Sequence, residues 1–259
     1  MTAEKLKNLP ANRPVTKLPM GGLTANMLRL IAIVLMVSDH TWAAFGSLGN
    51  WMTHIGRLAF PIFAFQLAEG FVHTKNRKKY ALRLGIFALI SEIPFNLFYS
   101  SRWFNPYHQS VMLTFLWGFA AMTVIEKLKK SKDAKNILLS LLSLAGIAIG
   151  SFVTFPDYGL LGVLHVVLFY VVRDFPFAWL VQAVGMVLLN IVFFEGQVVM
   201  FDLIGHHFEI PLQGFAVLAL IPIWLYGGKK GKSNKFIQYG SYAFYPVHMV
   251  ILYLIRYFA

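Results

Sequence analysis

Asp39 and His40 stand side by side past the middle of an apolar run that begins near Leu23. At membrane depth a charge costs roughly 2.5 kcal/mol or more, so both side chains must face protein or trapped water. The imidazole has the chemistry of a general base that takes a proton from an attacking amine or hydroxyl, whereas the bland alternative is a polar lock between helices. Position alone leaves both open. Neighbours on a helix point about 100° apart, so each residue needs its own partner.

Arg57 and Glu69 lie 12 residues apart, about 18 Å of helix, too far to meet each other. Arg57 follows and Asp39 precedes the same short turn at similar depth, which predicts an Asp39–Arg57 pair. Glu69 falls near the opposite face, where Arg83 and Glu92 of the next run are also expected; a structural salt bridge suits that place as well as a catalytic carboxylate does. His165, Gln182, Asn190 and His248 add polar groups to later runs and read singly as packing hydrogen bonds. His248 stands apart because Tyr245-Pro246 before it can kink the helix and open space around the ring. The histidines lack HExxH or similar spacing, so no metal site is expected, and zero cysteines exclude disulfides and a thiolate nucleophile. Glycine-rich phosphate loops and nucleophile elbows are absent as well. Two basic runs, Lys75, Arg77, Lys78 and Lys79 with Arg83 beyond, and Lys229, Lys230 and Lys232, could grip an anionic cofactor such as coenzyme A; fixing topology and contacting anionic lipid is the commoner role of such runs.

The elements that must position these groups are membrane helices. Of 259 residues, 58% are hydrophobic and 13% charged, with mean hydropathy +0.62, a balance that belongs in lipid. Apolar runs of about 18 to 22 residues, each able to cross roughly 30 Å of hydrocarbon, recur to the C-terminus. They predict an all-α polytopic transmembrane bundle of about nine spans, at 24–45, 51–73, 80–100, 109–126, 136–155, 158–173, 177–194, 210–227 and 236–258. Residues 1–22 read as a basic cytoplasmic tail and not a cleavable signal, and 23–259 as one transmembrane domain. With nine spans, 20 of the 23 Lys and Arg fall on one side, leaving Arg57, Arg102 and Arg256 toward the other. The positive-inside rule then places the N-terminus in the cytoplasm. It also accounts for the net charge of +12 without a nucleic-acid partner. Segment 195–209, with Glu195, Asp202, His206, His207 and Glu209, reads as the largest external loop.

Four blocks taken together resemble the TraX family. They are Leu30 to Ala32 with Met36-Val37-Ser38-Asp39-His40; Ile55-Gly56-Arg57 through Glu69-Gly70-Phe71; Asn76-Arg77-Lys78-Lys79-Tyr80 leading to Glu92-Ile93-Pro94-Phe95-Asn96; and Tyr226 to Gly231 with Phe244-Tyr245-Pro246-Val247-His248. The resemblance covers about residues 27 to 255 and is specific, because polar residues match within otherwise generic apolar sequence. Two departures are mild: Gly227 stands where the family has asparagine, and Glu92 where it has glutamine.

The resemblance implies an acetyltransferase of the bacterial cytoplasmic membrane that draws on acetyl-coenzyme A. The acceptor would be a membrane-associated peptide such as pilin, at its N-terminal amine, or a sugar. Kinship with transmembrane acyltransferases implies that Asp39-His40 fills the place of a histidine in an early membrane helix. The mechanism expected on that basis makes His40 the base, with Asp39 or another carboxylate orienting it, Arg57 stabilising the oxyanion, Glu69 and His248 as further catalytic candidates, and the two basic runs holding the phosphates. The rival expectations are a proton-coupled transporter, using Asp39, His40, Glu69 and Glu92 as a relay, and a non-catalytic assembly factor.

Overall fold

The computed structural model describes residues 22–46, 48–194, 196–203, 206–232 and 235–258. Nearly all of the expected basic tail, and Glu195 of the expected external loop, lie outside the described residues. Helix α1 spans Ala25–Phe45, opened by the Thr24 hydroxyl, which accepts from the Met27 N–H at 3.3 Å, and closed at Gly46, whose φ of 59° reverses the chain. Its buried stripe is Leu28, Ala32, Met36, His40 and Ala44, one residue per turn. That spacing of four places His40 on the core-facing row and turns Asp39 toward the neighbouring helix.

The second expected span is two helices, α2 (Trp51–Gly56) and α3 (Ala59–His73), with Arg57 at the break between them. Then come α4 (Arg77–Ser100), α5 (Val111–Lys130), α6 (Ala134–Val153), α7 (Gly159–Val171), α8 (Ala178–Val187), α9 (Leu220–Trp224) and α10 (Lys235–Phe258). Among the described residues five helical segments have the length and apolarity to cross a membrane: α1, α2 with α3, α4, α5 and α6. Three of the other expected spans are shorter or irregular. Thus α7 has 13 residues, α8 runs into a π-helical turn over Leu188–Val192, and the segment before α9 is a 3₁₀ helix over Leu212–Ala219. The ninth coincides with the 24-residue α10.

Helix α3 is the central element, packed on α1, α5 and α7. Its Ile62, Phe65 and Phe71 join Leu28, Phe95, Met122, Phe169 and Met249 in the main core. Helix α6 lies at the edge, with Leu138, Leu142, Ile149 and Phe152 exposed, as suits a lipid-facing side. The fold is not wholly α-helical, however. The expected external loop contains an antiparallel hairpin, β1 (Val198–Leu203) paired with β2 (His206–Pro211), in which Asp202 stands opposite His207. Polar residues interleaved with Val, Met, Phe and Ile in a stretch too short to span suit a solvated ribbon better than a coil.

Candidate functional site

The first group brought together is the pair anticipated across the α1–α2 turn. The Arg57 guanidinium bonds both oxygens of Asp39, and the Thr53 hydroxyl donates to Asp39 Oδ1 at 2.7 Å. Gly56 makes this approach possible, because a Cβ there would overlap the Asp39 side chain. The Arg57 Nε–H is buried and unbonded, so the guanidinium is committed on one edge only.

His40 takes a different partner. Among the described residues no carboxylate is hydrogen-bonded to it; its Nδ1 lies 2.6 Å from His248 Nε2, with the rings 4° from coplanar. Asp39, expected to orient the imidazole, is spent on Arg57 and Thr53 instead. Backbone geometry fixes the proton positions in the histidine pair. His248 Nδ1 faces the Phe244 carbonyl at 2.8 Å, and a carbonyl can only accept, so the proton of neutral His248 sits on Nδ1. Its Nε2 is then an acceptor, which makes His40 Nδ1 the donor and leaves a lone pair on His40 Nε2. Tyr245, Tyr99 and Phe98 pack around the His40 ring, with centroids 6.3, 6.3 and 5.7 Å away.

A cavity of about 500 Å³ lies within the bundle. Arg29, Arg83, Lys230 and His73 line one end; Gln66, Glu69, Tyr80 and Tyr242 line its flank; Met36, Val111, Met112, Phe115 and Tyr245 line the other. Met36 is one turn before His40 on α1, and Tyr245 nearly one turn before His248 on α10, so the apolar end comes within a helical turn of the histidines, although neither ring lines the cavity. Lys230 reaches the cationic end because the loop after α9 clasps the start of α1. The Leu23 and Ala25 N–H groups donate to the Leu225 and Lys229 carbonyls at 3.0 and 2.9 Å, and the Gly227 N–H donates back to Leu23 at 2.8 Å. A φ of 79° at Gly231 lets that loop turn against Thr24.

Of the residues expected to hold a phosphate-bearing ligand, Arg83 and Lys230 line the cavity, whereas Lys75, Lys78, Lys79, Lys229 and Lys232 lie outside its wall. Arg77 is bound to Glu126 and sits 4.2 Å over the Phe71 ring. Arg29 and His73 are cavity residues that the sequence reading did not single out. Arg29 carried a signal, a cation within the first turns of the helix that bears His40. Glu69 is buried in the cavity wall with Oε1 3.1 Å from Arg173 Nε, far along the chain, and not with Arg83. Its Oε2 has no hydrogen bond. Glu92 does not lie near Glu69: it sits 15 residues into α4, where its carboxylate accepts from the Ser110 N–H and hydroxyl, at 3.1 and 2.6 Å, and caps the start of α5. Among the described residues no group of three or more His, Cys, Asp or Glu could hold a metal ion.

A family model described as TraX protein matches residues 24–256. A protein described as "Probable fimbrial assembly protein FimC, serogroup H1" from Dichelobacter nodosus is 30% identical over 253 residues, an alignment covering 88% of this chain and 94% of that protein. No solved structure matches the chain.

Proposed function

This chain belongs to the TraX family, and from that premise we propose that it is a membrane-embedded acetyltransferase. It moves an acetyl group from cytoplasmic acetyl-coenzyme A to an amine or hydroxyl acceptor, of the pilin N-terminal amine kind, at or beyond a bacterial inner membrane. The observation that carries this reading is a cavity with cations at one end and, at the other, Tyr245, whose ring packs against both His40 and His248. The cavity volume of about 500 Å³ lies within the ordinary range for small-molecule sites, roughly 300 to 1,000 Å³. Arg29, Arg83 and Lys230 supply charge-assisted bonds for phosphates, and the apolar inner end suits an uncharged thioester arm. The kinship with a fimbrial assembly protein fits a pilin-type acceptor.

Bound acetyl-coenzyme A supplies the activated acyl group. His40 does the proton work: Nε2, the nitrogen left with a lone pair, takes the acceptor's proton as the new bond to the acyl carbon forms. His248 holds the His40 ring in that tautomer through its own Nε2 and shares the charge that develops, the place a carboxylate fills in serine hydrolases. Asp39 and Arg57 neutralise one another beside the base, so that His40 works near a closed pair and not beside a bare charge. In the membrane frame, about nine spans with the N-terminus inside put the cationic mouth on the cytoplasmic face, the side favoured by 20 of the 23 Lys and Arg.

The test is direct. Purified protein in liposomes is incubated with radiolabelled acetyl-coenzyme A and amine acceptors, beside a His40→Ala variant of normal thermal stability, and coenzyme A release is measured. Release by the parent and its loss in the variant are expected. A parent that neither binds acetyl-coenzyme A nor turns it over removes the proposal and leaves a transport or non-catalytic assembly role.

A further inference from the structure

Acyl transfer needs a donor for the negative charge that grows on the carbonyl oxygen, and a preorganised donor of this kind is worth about 10² to 10³ in rate. Arg57 was the sequence-based choice, but the bonding edge of its guanidinium is tied to Asp39 and Thr53. The inner end of the cavity is otherwise made of Met36, Val111, Met112 and Phe115, which offer no side-chain hydrogen.

Tyr245 is the exception. It lines that end, is only 7% exposed, and packs its ring against both His40 and His248, at 6.3 and 5.8 Å between centroids. Val111, the first residue of α5, lines the same end of the cavity as Tyr245. The N-terminal end of a helix carries partial positive charge, so an oxygen there is polarised toward donating its own hydrogen. Buried tyrosine hydroxyls normally find partners, and a carbonyl oxygen bound at this end of the cavity would offer one.

We propose that Tyr245 is a catalytic residue, its hydroxyl donating to the acyl carbonyl oxygen of the thioester held at the inner end of the cavity. This rests on the acetyltransferase reading. As the acceptor nitrogen or oxygen bonds to the carbonyl carbon, His40 Nε2 takes its proton, and the Tyr245 hydroxyl holds the oxyanion without giving up its hydrogen. The carbon–sulfur bond then breaks, the departing thiolate recovers the proton from His40, and Tyr245 is left unchanged.

The experiment has two arms. In the first, a Tyr245→Phe variant with parental thermal stability is compared for coenzyme A affinity, KM for acetyl-coenzyme A, and kcat. The expected result is a kcat lower by about 10²-fold, with coenzyme A affinity and KM within about twofold of the parent. Unchanged kcat overturns the proposal, and so does a parallel loss of coenzyme A affinity, which marks a packing role. The second arm needs no variant and serves if Tyr245→Phe fails to fold. Isotope-edited infrared spectra of bound acetyl-coenzyme A carrying a ¹³C carbonyl should show the stretch moved to lower frequency than in water; an unmoved or higher frequency overturns the assignment. A parent that binds no coenzyme A defeats the acetyltransferase reading itself and the Tyr245 assignment with it, whereas a parent that turns over with an unmoved stretch defeats only the latter.

Discussion

Of the three histidines buried in helices among the described residues, His165 and His40 are bonded in opposite ways. His165, wholly buried on α7, has an acceptor oxygen at each nitrogen, the Leu161 carbonyl 2.7 Å from Nδ1 and Asn190 Oδ1 3.1 Å from Nε2, and its neutral ring donates to one of them. Gln213 donates to the same Asn190 oxygen at 3.1 Å, and Asn190 anchors itself on the Met186 carbonyl at 2.8 Å. The network ties α7, the π-helical turn and the 3₁₀ segment together. His40 commits one nitrogen, to His248, and its Nε2 has no hydrogen-bond partner among the described residues. A buried imidazole therefore says little about function until its two nitrogens are accounted for separately. The first reads as a fastener, and the second, on the proposed function, as a base whose ring is already oriented.

The largest expected effect tests that division. Replacing His40 with Ala should lower coenzyme A release by about 10² to 10⁴, the usual worth of positioned proton transfer, with little change in thermal stability. His165→Ala should do the reverse, retaining turnover while unfolding about 1 kcal/mol more easily, in line with hydrogen bonds between membrane helices. Parallel assays and melts of the two variants decide it. Equal losses of activity in both would dissolve the comparison.

The next effect sharpens the role of the partner ring. His248→Leu removes the acceptor that holds His40 in its tautomer, and the rate should fall by about 10²-fold, since losing the tautomer costs a comparable serine hydrolase up to roughly 10⁴. His248→Gln can present an oxygen to the same Nδ1–H and should retain more of the rate. If Leu and Gln behave alike, His248 is a spacer and His40 is oriented by other contacts.

How much of this was legible in the sequence depended on distance along the chain. The Asp39–Arg57 pair could be foreseen because the two residues flank one short turn at matching depth. The His40–His248 pair could not, since 208 positions separate the two and no rule of spacing says which spans are neighbours. Glu69 found Arg173, 104 positions on, for the same reason. Glu92 was misplaced because a span has two ends and a polar residue late in a helix belongs to the far one; its partner at Ser110 marks that end. Apolar length correctly located helix in all nine segments but not its regularity. The π-helical turn at Leu188–Val192 and the 3₁₀ stretch at Leu212–Ala219 form around Asn190 and Gln213, side chains that bond across elements. The hairpin at Val198–Pro211 escaped because its alternation is imperfect and both strands are largely exposed.

Beside the histidines, the Asp39–Arg57 pair should behave as a unit. Asp39→Asn and Arg57→Gln, singly and together, form a cycle in which the double variant loses less stability than the sum of the singles, with an interaction of about 0.5 to 3 kcal/mol. Each single change strands a partly buried charge, while the double change removes both. Strict additivity in reversible unfolding would show that the contact contributes nothing.

The smallest effect separates cations inside the cavity from those outside it. Arg29→Gln and Arg83→Gln each remove a charge from the cavity wall and should raise KM for acetyl-coenzyme A about tenfold, the loss of one charge-assisted bond of roughly 1.5 kcal/mol. Lys229→Gln and Lys78→Gln, equally basic and close in sequence to cavity residues, should leave it within about twofold, because exposed charges act on a ligand only through screened solvent. Raising the salt concentration should narrow the gap less for the cavity residues than for the exposed ones. If all four changes raise KM alike, the phosphates are drawn by the basic face as a whole, and the cavity loses its claim to be where they bind.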